Sequence, residues 1–329
     1  MAHSIIRVKS NYLSLLINLI LFIYILPVMA EEHALVIRGE TVIFEEVLKG
    51  ISDDIEGEIS LIELVISDNS SDDDINKMFT QYHPRLVILM GNKAVNLYSD
   101  FQENNNKLKF PPAIAIAALF IDTFASKITN LTAIRYEIPV VTSAVTMRSV
   151  LSKPVKKIGV IYRSWMKDTI EENRRYCQAE GIELVGIELP NKILNVSSKI
   201  KSALKTLSKK VDAIWILNDN GLLTRDALTK AWLPLRKHSK LPAIVGIKQF
   251  ITRIPLGSFA VIPDNYGLGA QAAGLIFDII ENNWILENTK ILQPVSVKKF
   301  MNTIRLDEKG IGYQADMLNQ IEEIKEIEE

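Results

Sequence analysis

The sequence has one cysteine, four histidines and almost no net charge, and each of these limits what the protein can be. Cys177 has no partner for an internal disulfide, so stability must come from packing. The 38 basic and 39 acidic residues leave no basic excess that would attract nucleic acid. The histidines are scattered, and no cysteine or histidine cluster has the spacing of a metal site. We therefore expect no nucleic-acid partner, no metal and no cofactor.

Catalytic motifs are also missing. The chain contains no GxxxxGK[ST] phosphate loop, no GxSxG nucleophile elbow and no HExxH zinc motif. The glycines between Gly267 and Gly274 imitate a dinucleotide-binding loop, but their spacing differs from it and they fall within a predicted helix. Close helix packing is the better explanation for them, and we predict that the protein is not an enzyme.

Residues 1–30 have the composition of a secretory signal peptide. Arg7 and Lys9 precede a continuous apolar core over 13–26, and small residues end at Ala30. The alternative is a retained membrane anchor, but the apolar core is shorter than the roughly 20 residues that span a bilayer. The sequence predicts export, with cleavage near Ala30 and contact with the membrane only through a partner.

The rest of the chain alternates apolar strand patterns with helical ones, which is typical of α/β proteins with parallel sheets. The alternation breaks and restarts near residues 137–155, which predicts two Rossmann-like lobes hinged around a cleft. We expect lobe 1 to contain residues 31–137 and 258–290, and lobe 2 to contain 138–257 and 291–329. Residues 317–329 have the pattern of a charged amphipathic helix.

Residues 211–220, VDAIWILNDN, look like a buried parallel strand that ends in polar residues. In open α/β sheets ligands bind beyond the carboxyl ends of the strands, which would place Asp219 and Asn220 at a binding site. The alternative is that both residues cap the next helix and turn the chain. The local sequence does not choose between a ligand contact and a cap.

Further polar or aromatic residues follow other predicted strands in the same way. Together they would suit a zwitterion such as an amino acid, with its carboxylate at helix amides and its ammonium group at Asp219. Besides Asp219 and Asn220, these candidate ligand-binding residues are Arg38, Asn92, Lys93, Trp165 and Lys248.

The blocks at residues 156–184, 211–220, 241–250 and 254–280 resemble the ABC transporter substrate-binding proteins of the type I periplasmic fold, in the branch with tryptophan and tyrosine binders. The resemblance implies a periplasmic protein with a small-molecule ligand and an ABC transporter permease as partner. It adds Thr169, which matches a family serine, to the site, and Asp219 with Asn220 matches the family pair. Gly91, Asn92 and Lys93 stand where the family has Gly-Thr-Pro. That departure favours an alternative, a binding-fold protein that has lost transport and serves as a sensory or partner-interaction subunit.

Overall fold

The computed structural model describes residues 32–324. The predicted signal peptide and its cleavage site lie outside these residues. None of the described helices combines the length and the hydropathy that a membrane span requires.

The described residues contain thirteen strands and eleven α-helices. The strands are β1 (His33–Arg38), β2 (Ser60–Val65), β3 (Leu86–Met90), β4 (Ala113–Ile116), β5 (Leu131–Ile134), β6 (Lys157–Arg163), β7 (Glu183–Leu189), β8 (Ala213–Ile216), β9 (Ala243–Val245), β10 (Phe259–Pro263), β11 (Ile291–Leu292), β12 (Val297–Asn302) and β13 (Glu322–Ile324). The α-helices are α1 (Val42–Ile55), α2 (Asp72–Tyr82), α3 (Gly91–Asn104), α4 (Val140–Val150), α5 (Lys167–Ala179), α6 (Val196–Leu207), α7 (Arg225–Ala227), α8 (Leu233–His238), α9 (Gln249–Thr252), α10 (Asn265–Glu281) and α11 (Thr303–Glu308). A π-helical turn over Leu228–Trp232 joins α7 to α8.

The strands form two sheets, one in each lobe. The lobe 1 sheet has six parallel strands in the order β11-β5-β4-β3-β1-β2. The lobe 2 sheet has seven strands in the order β13-β12-β10-β9-β8-β6-β7, with β12 antiparallel to β10. Buried apolar side chains cover both faces of each sheet. The predicted class, two α/β lobes with mostly parallel sheets, is confirmed.

The chain passes between the lobes three times. The first crossing is Arg135–Pro139, the second is at Asp264, and the third covers Gln293–Ser296. The first contains residue 137, where the sequence prediction ends the first segment of lobe 1. The second and third differ from the predicted positions 258 and 291, because β10 pairs with β9 in lobe 2 while β11 pairs with β5 in lobe 1.

Two local signals in the sequence have the structural result that they predict. The Thr41 hydroxyl accepts a hydrogen bond from the Phe44 amide and so caps α1. In α10, a Cβ on Gly269 would overlap the carbonyl oxygen of Val47 in α1, and a Cβ on Gly50 would overlap the carbonyl oxygen of Tyr266. The glycine-rich segment therefore allows two helices to cross closely, as its position within a helix indicates.

The predicted C-terminal helix is wrong for the part of it that the structure describes. Ala315–Met317 forms one 3₁₀ turn, and β13 follows as an edge strand parallel to β12. The three-residue spacing of Ile321 and Ile324 suits a helix, but so short a segment specifies neither structure firmly, and the two side chains join different core clusters. Pairing with β12 decides the outcome, because Ile321 and Ile324 are both buried against lobe 2.

Candidate functional site

A cavity of about 280 Å³ lies where the first and third crossings meet the carboxyl ends of β8 and β9. Its walls come from both lobes and from the crossings. The lining residues are Phe120, Asp122, Arg135, Tyr136, Glu137, Ile138, Pro139, Val140, Ser143, Asp168, Thr169, Glu172, Asn173, Arg175, Trp215, Ile216, Leu217, Asn218, Ile244, Val245, Gly246, Val261 and Gln293.

The floor of the cavity is apolar and belongs to the lobe 2 core. Trp215, Ile244 and Val261 come from three neighbouring strands and pack in one cluster, to which the lobe 1 residue Phe120 also belongs. The rings of Phe120 and Trp165 meet edge to face with their centroids 5.0 Å apart. The floor therefore offers a ligand an aromatic and aliphatic surface that already joins the two lobes.

Arg135 links the lobes electrostatically at the edge of the cavity. Its guanidinium group donates to Asp122 of lobe 1 at 2.6 Å and to Glu172 of α5 in lobe 2 at 3.0 Å. Although burial raises the pKa of Glu172, hydrogen bonds from Tyr176 and Arg135 outweigh it and hold that pKa below its usual value. The two carboxylates thus share one guanidinium group.

Glu137 and Asp168 are the cavity carboxylates that make no ion pair within the described residues, and Glu137 is the less exposed of the two. One of its oxygens accepts a hydrogen bond from the Phe120 amide at 2.9 Å, and it forms no ion pair within the described residues. Burial raises the pKa of Glu137 to about 7, and the Phe120 amide offsets only part of that increase. A cation placed beside this carboxylate would stabilise its charged form.

Two residues that line the cavity each have a side-chain acceptor with no partner in the described structure. The Oδ1 atom of Asn218 and the Oε1 atom of Gln293 are both buried and accept no hydrogen bond. Gly246 leaves room for the Asn218 side chain, since a Cβ there would lie 2.6 Å from it. The side-chain amide of Gln271 in α10 donates to the main-chain carbonyl of Gln293 at 3.0 Å and so fixes the third crossing. Buried carbonyl groups are rarely left unpaired, so these two atoms are candidate acceptors for a ligand donor.

Of the eight residues that the sequence nominates, Thr169 lines this cavity. Asp219 follows a strand of lobe 2 as expected, but its carboxylate binds Arg163 through two hydrogen bonds of 2.7 and 2.5 Å. It also accepts from the Gly221 amide at 2.9 Å, which stabilises the turn. Only 2% of Asp219 is exposed, and Asn220 is exposed beside it. Neither of these two residues lines the cavity.

The remaining candidates have protein partners elsewhere. Arg38 pairs with Glu63 and Glu45, Lys93 pairs with Asp68, and Lys248 lies near Glu322. Trp165 does not line the cavity itself but packs on Phe120, which does.

Asn92 covers the start of α3, where the sequence departs from Gly-Thr-Pro. Its side chain both donates to the Leu119 carbonyl at 2.7 Å and accepts from the Leu119 amide at 2.8 Å. The Phe44 ring lies against Gly91, at 2.6 Å from where a Cβ would be. The N-terminus of α3 is therefore covered by protein groups.

Sequence reasoning missed the residues of the crossings. Glu137 and Gln293 lie in segments without regular periodicity, so no strand-end argument selects them. Asn218 directly precedes Asp219 at the end of β8, and neighbouring side chains at a strand end point to opposite sides. The NDN sequence therefore marks the strand end that contains Asn218, but it does not show which of its side chains lies on the cavity side.

A family model described as ABC transporter substrate binding protein matches residues 112–325. No protein with a curated description matches the chain by sequence.

Several solved structures have the same fold at low sequence identity. An ABC domain from Streptococcus pneumonia in complex with L-Trp is 18% identical, with a TM-score of 0.54, over 89% of this chain and 99% of that one. A ligand-free, open substrate binding protein with adhesive properties from Clostridium difficile is 13% identical, with a TM-score of 0.67, over 90% and 99%. A periplasmic ribose ABC transporter protein from Conexibacter woesei is 16% identical, with a TM-score of 0.52, over 85% and 94%. These structures establish the two-lobe fold; one is a complex with L-Trp, one is ligand-free, and one is described as a ribose transporter.

Proposed function

The chain belongs to the ABC transporter substrate-binding protein family and has the type I periplasmic binding protein fold, and from this we propose that it captures a small molecule between its lobes for an ABC importer. The proposed place of action is the periplasm, after removal of the signal peptide. The ligand class is an amino acid or a related molecule with an ammonium group. The lobes would close around it by a hinge motion in the three crossings.

One observation carries this proposal. The cavity at the crossings contains two buried acceptors without partners, Asn218 Oδ1 and Gln293 Oε1, one from lobe 2 and one from the third crossing. A ligand that donates to both would bind lobe 2 and the hinge at once. Ligand binding and closure would then be the same event, which is what capture for transport requires.

A transport-inactive sensory or partner-interaction subunit is the second candidate. The observation in its favour is the covered N-terminus of α3, where Asn92 binds Leu119 and Phe44 packs on Gly91. A helix start that neighbouring side chains cover leaves little room for a ligand carboxylate. This candidate differs from the first in what happens after binding, because a sensor would bind the ligand without activating an importer.

Mass spectrometry of small molecules released from the purified protein tests the proposal. We expect a stoichiometric ligand, and adding it back should change the fluorescence of Trp215, which forms the cavity floor. Trp215→Phe should lose most of that change, whereas Trp284→Phe, in lobe 1 beside Arg85, should keep it. Absence of any released or added ligand that binds would refute capture.

Delivery of the ligand to an ABC importer, the second part of the proposal, needs a separate measurement. With the partner permease and ATPase in proteoliposomes, the liganded protein should increase ATP hydrolysis. Binding without that increase would favour the sensory candidate.

A further inference from the structure

The charges and the hydrogen-bonding groups of the cavity indicate which kind of small molecule it binds. Resting on the proposed function, we infer that the ligand carries net positive charge, and that its ammonium or guanidinium group binds Glu137, Asn218 and Gln293. This set narrows the ligand class from amino acids in general to basic amines.

The first argument is the charge of the cavity wall. It contains four carboxylates and two guanidinium groups; the carboxylates are Asp122, Glu137, Asp168 and Glu172, and the cations are Arg135 and Arg175. Arg135 is already shared by Asp122 and Glu172. Arg175 is exposed and makes no ion pair within residues 32–324. The charge of Arg135 acts on Glu137, but it forms no ion pair with that carboxylate and only partly offsets its burial. A ligand cation would correct this imbalance.

The second argument is the polarity of the unpaired groups. Asn218 Oδ1 and Gln293 Oε1 can only accept hydrogen bonds, and Glu137 has an oxygen beyond the one that binds the Phe120 amide. A buried acceptor without a partner costs about 1–3 kcal/mol, and a charged donor is its strongest partner. A neutral or anionic ligand would leave at least part of this set unpaired.

The third argument is the origin of the three acceptors. Glu137 belongs to the first crossing, Asn218 to the end of β8 in lobe 2, and Gln293 to the third crossing. A group that contacts all three therefore connects two hinge segments to lobe 2. A compact cation with several donors can do this from one position, because an ammonium group has three donors and a guanidinium group has five.

A zwitterionic amino acid fits less well. Its carboxylate would lie toward the mouth of the cavity, where Asp168 and the Glu172 carboxylate are found and where Arg175 is the one cation without a partner. The covered start of α3 provides no alternative anion site in lobe 1. The carboxylate would thus gain only a solvent-exposed pair with Arg175 against repulsion from Asp168 and Glu172, and would add little to binding.

Calorimetry with two probe series of fixed body tests the inference at about pH 8, where Glu137 is ionised. The aromatic series is tryptamine, L-tryptophan and indole-3-propionate, and the aliphatic series is cadaverine, 5-aminovalerate and glutarate. In whichever series fits the cavity, we expect the cation to bind about 10- to 100-fold more tightly than the zwitterion, and the anion to bind most weakly.

Variants connect that preference to the three acceptors. Asn218→Leu and Gln293→Leu should each weaken binding of the cation about tenfold or more, and Asn220→Leu, an exposed neighbour outside the cavity, should not. Tryptophol, which has a hydroxyl in place of the tryptamine ammonium group, should be affected much less by each change. Melting temperatures of the variants confirm that they fold.

The inference is overturned if a zwitterion or an anion binds most tightly, if no probe of either series binds, or if the variants weaken tryptamine and tryptophol equally. The proposed function has a separate test in the released ligand. Recovery of a bound zwitterionic or anionic metabolite would refute the net-cation inference and leave capture intact.

Discussion

Glu137→Gln should make the protein more stable and bind its ligand less well. The carboxylate is half-buried at the cavity, forms no ion pair within residues 32–324, and has its pKa raised from 4.5 to about 7 by loss of solvation. That difference corresponds to on the order of 3 kcal/mol of cost to the folded state when Glu137 is ionised. Glutamine has the same shape and can still accept from the Phe120 amide.

The sign of the pH dependence follows from the raised pKa. Between pH 4.5 and about 7 the folded protein binds more protons at this site than the unfolded chain, so the contribution of Glu137 to stability is present below 4.5 and is lost as the pH rises through about 7. Glu137→Gln should therefore melt close to wild type at pH 4.5. At about pH 8 it should melt roughly 5 to 10 °C higher, for a chain of this size.

Thermal melts of ligand-free protein across this range measure the effect, and Glu172→Gln is the matched control. The pKa of Glu172 is lowered, so its contribution is present above its unfolded pKa and is lost on acidification. That variant should be less stable than wild type at about pH 8, opposite in sign to Glu137→Gln. If Glu137→Gln is no more stable than wild type at about pH 8, Glu137 is not an uncompensated carboxylate. The argument for a ligand cation from the charge of the cavity wall would then fail.

Two other substitutions test the packing around the site and the lobes. Gly269→Ala should destabilise the protein by about 1–3 kcal/mol in urea unfolding, because the new methyl group overlaps the Val47 carbonyl. Gly274→Ala in the same helix meets nothing within 4 Å and should be neutral or stabilising. Equal stability of the two variants would contradict the close helix crossing. Asp219→Asn should lower stability by about 3–5 kcal/mol by leaving Arg163 without its buried partner, and should change the intrinsic affinity of the folded protein little. Loss of ligand binding in a stable Asp219→Asn protein would instead show that Asp219 contributes to the ligand site.

The architecture was predictable because it depends on patterns that repeat. Alternating strand and helix periods specify parallel sheets, and Thr41 specifies the beginning of a helix. The error at residues 317–324 has the opposite cause, since a short charged segment has no strong period and an edge strand is decided by its neighbour, β12.

The cavity was less predictable, because its polar groups come from segments that are irregular in sequence. Glu137 and Gln293 are close to each other only because the first and third crossings run side by side, with the Arg135 amide bonded to the Leu292 carbonyl at 2.9 Å. No local pattern encodes a contact between residues so far apart. Thr169, which the family resemblance added, lines the cavity, but the sequence could not tell that Asp219 pairs with Arg163.

The close crossing of α1 and α10 has a consequence for the order in which the chain folds during synthesis. Lobe 1 begins at the first described residues, yet the helix that covers its apolar face, α10, is translated only after ten strands have emerged. Until then Val47 and Ile51 of α1 lack their partner. Lobe 2 needs the chain up to β13 to complete its sheet, so neither lobe can finish before the other has almost been made. Because contacts between distant segments form slowly, the nascent chain remains unfinished for most of its translation, and the two lobes reach their final structure almost together.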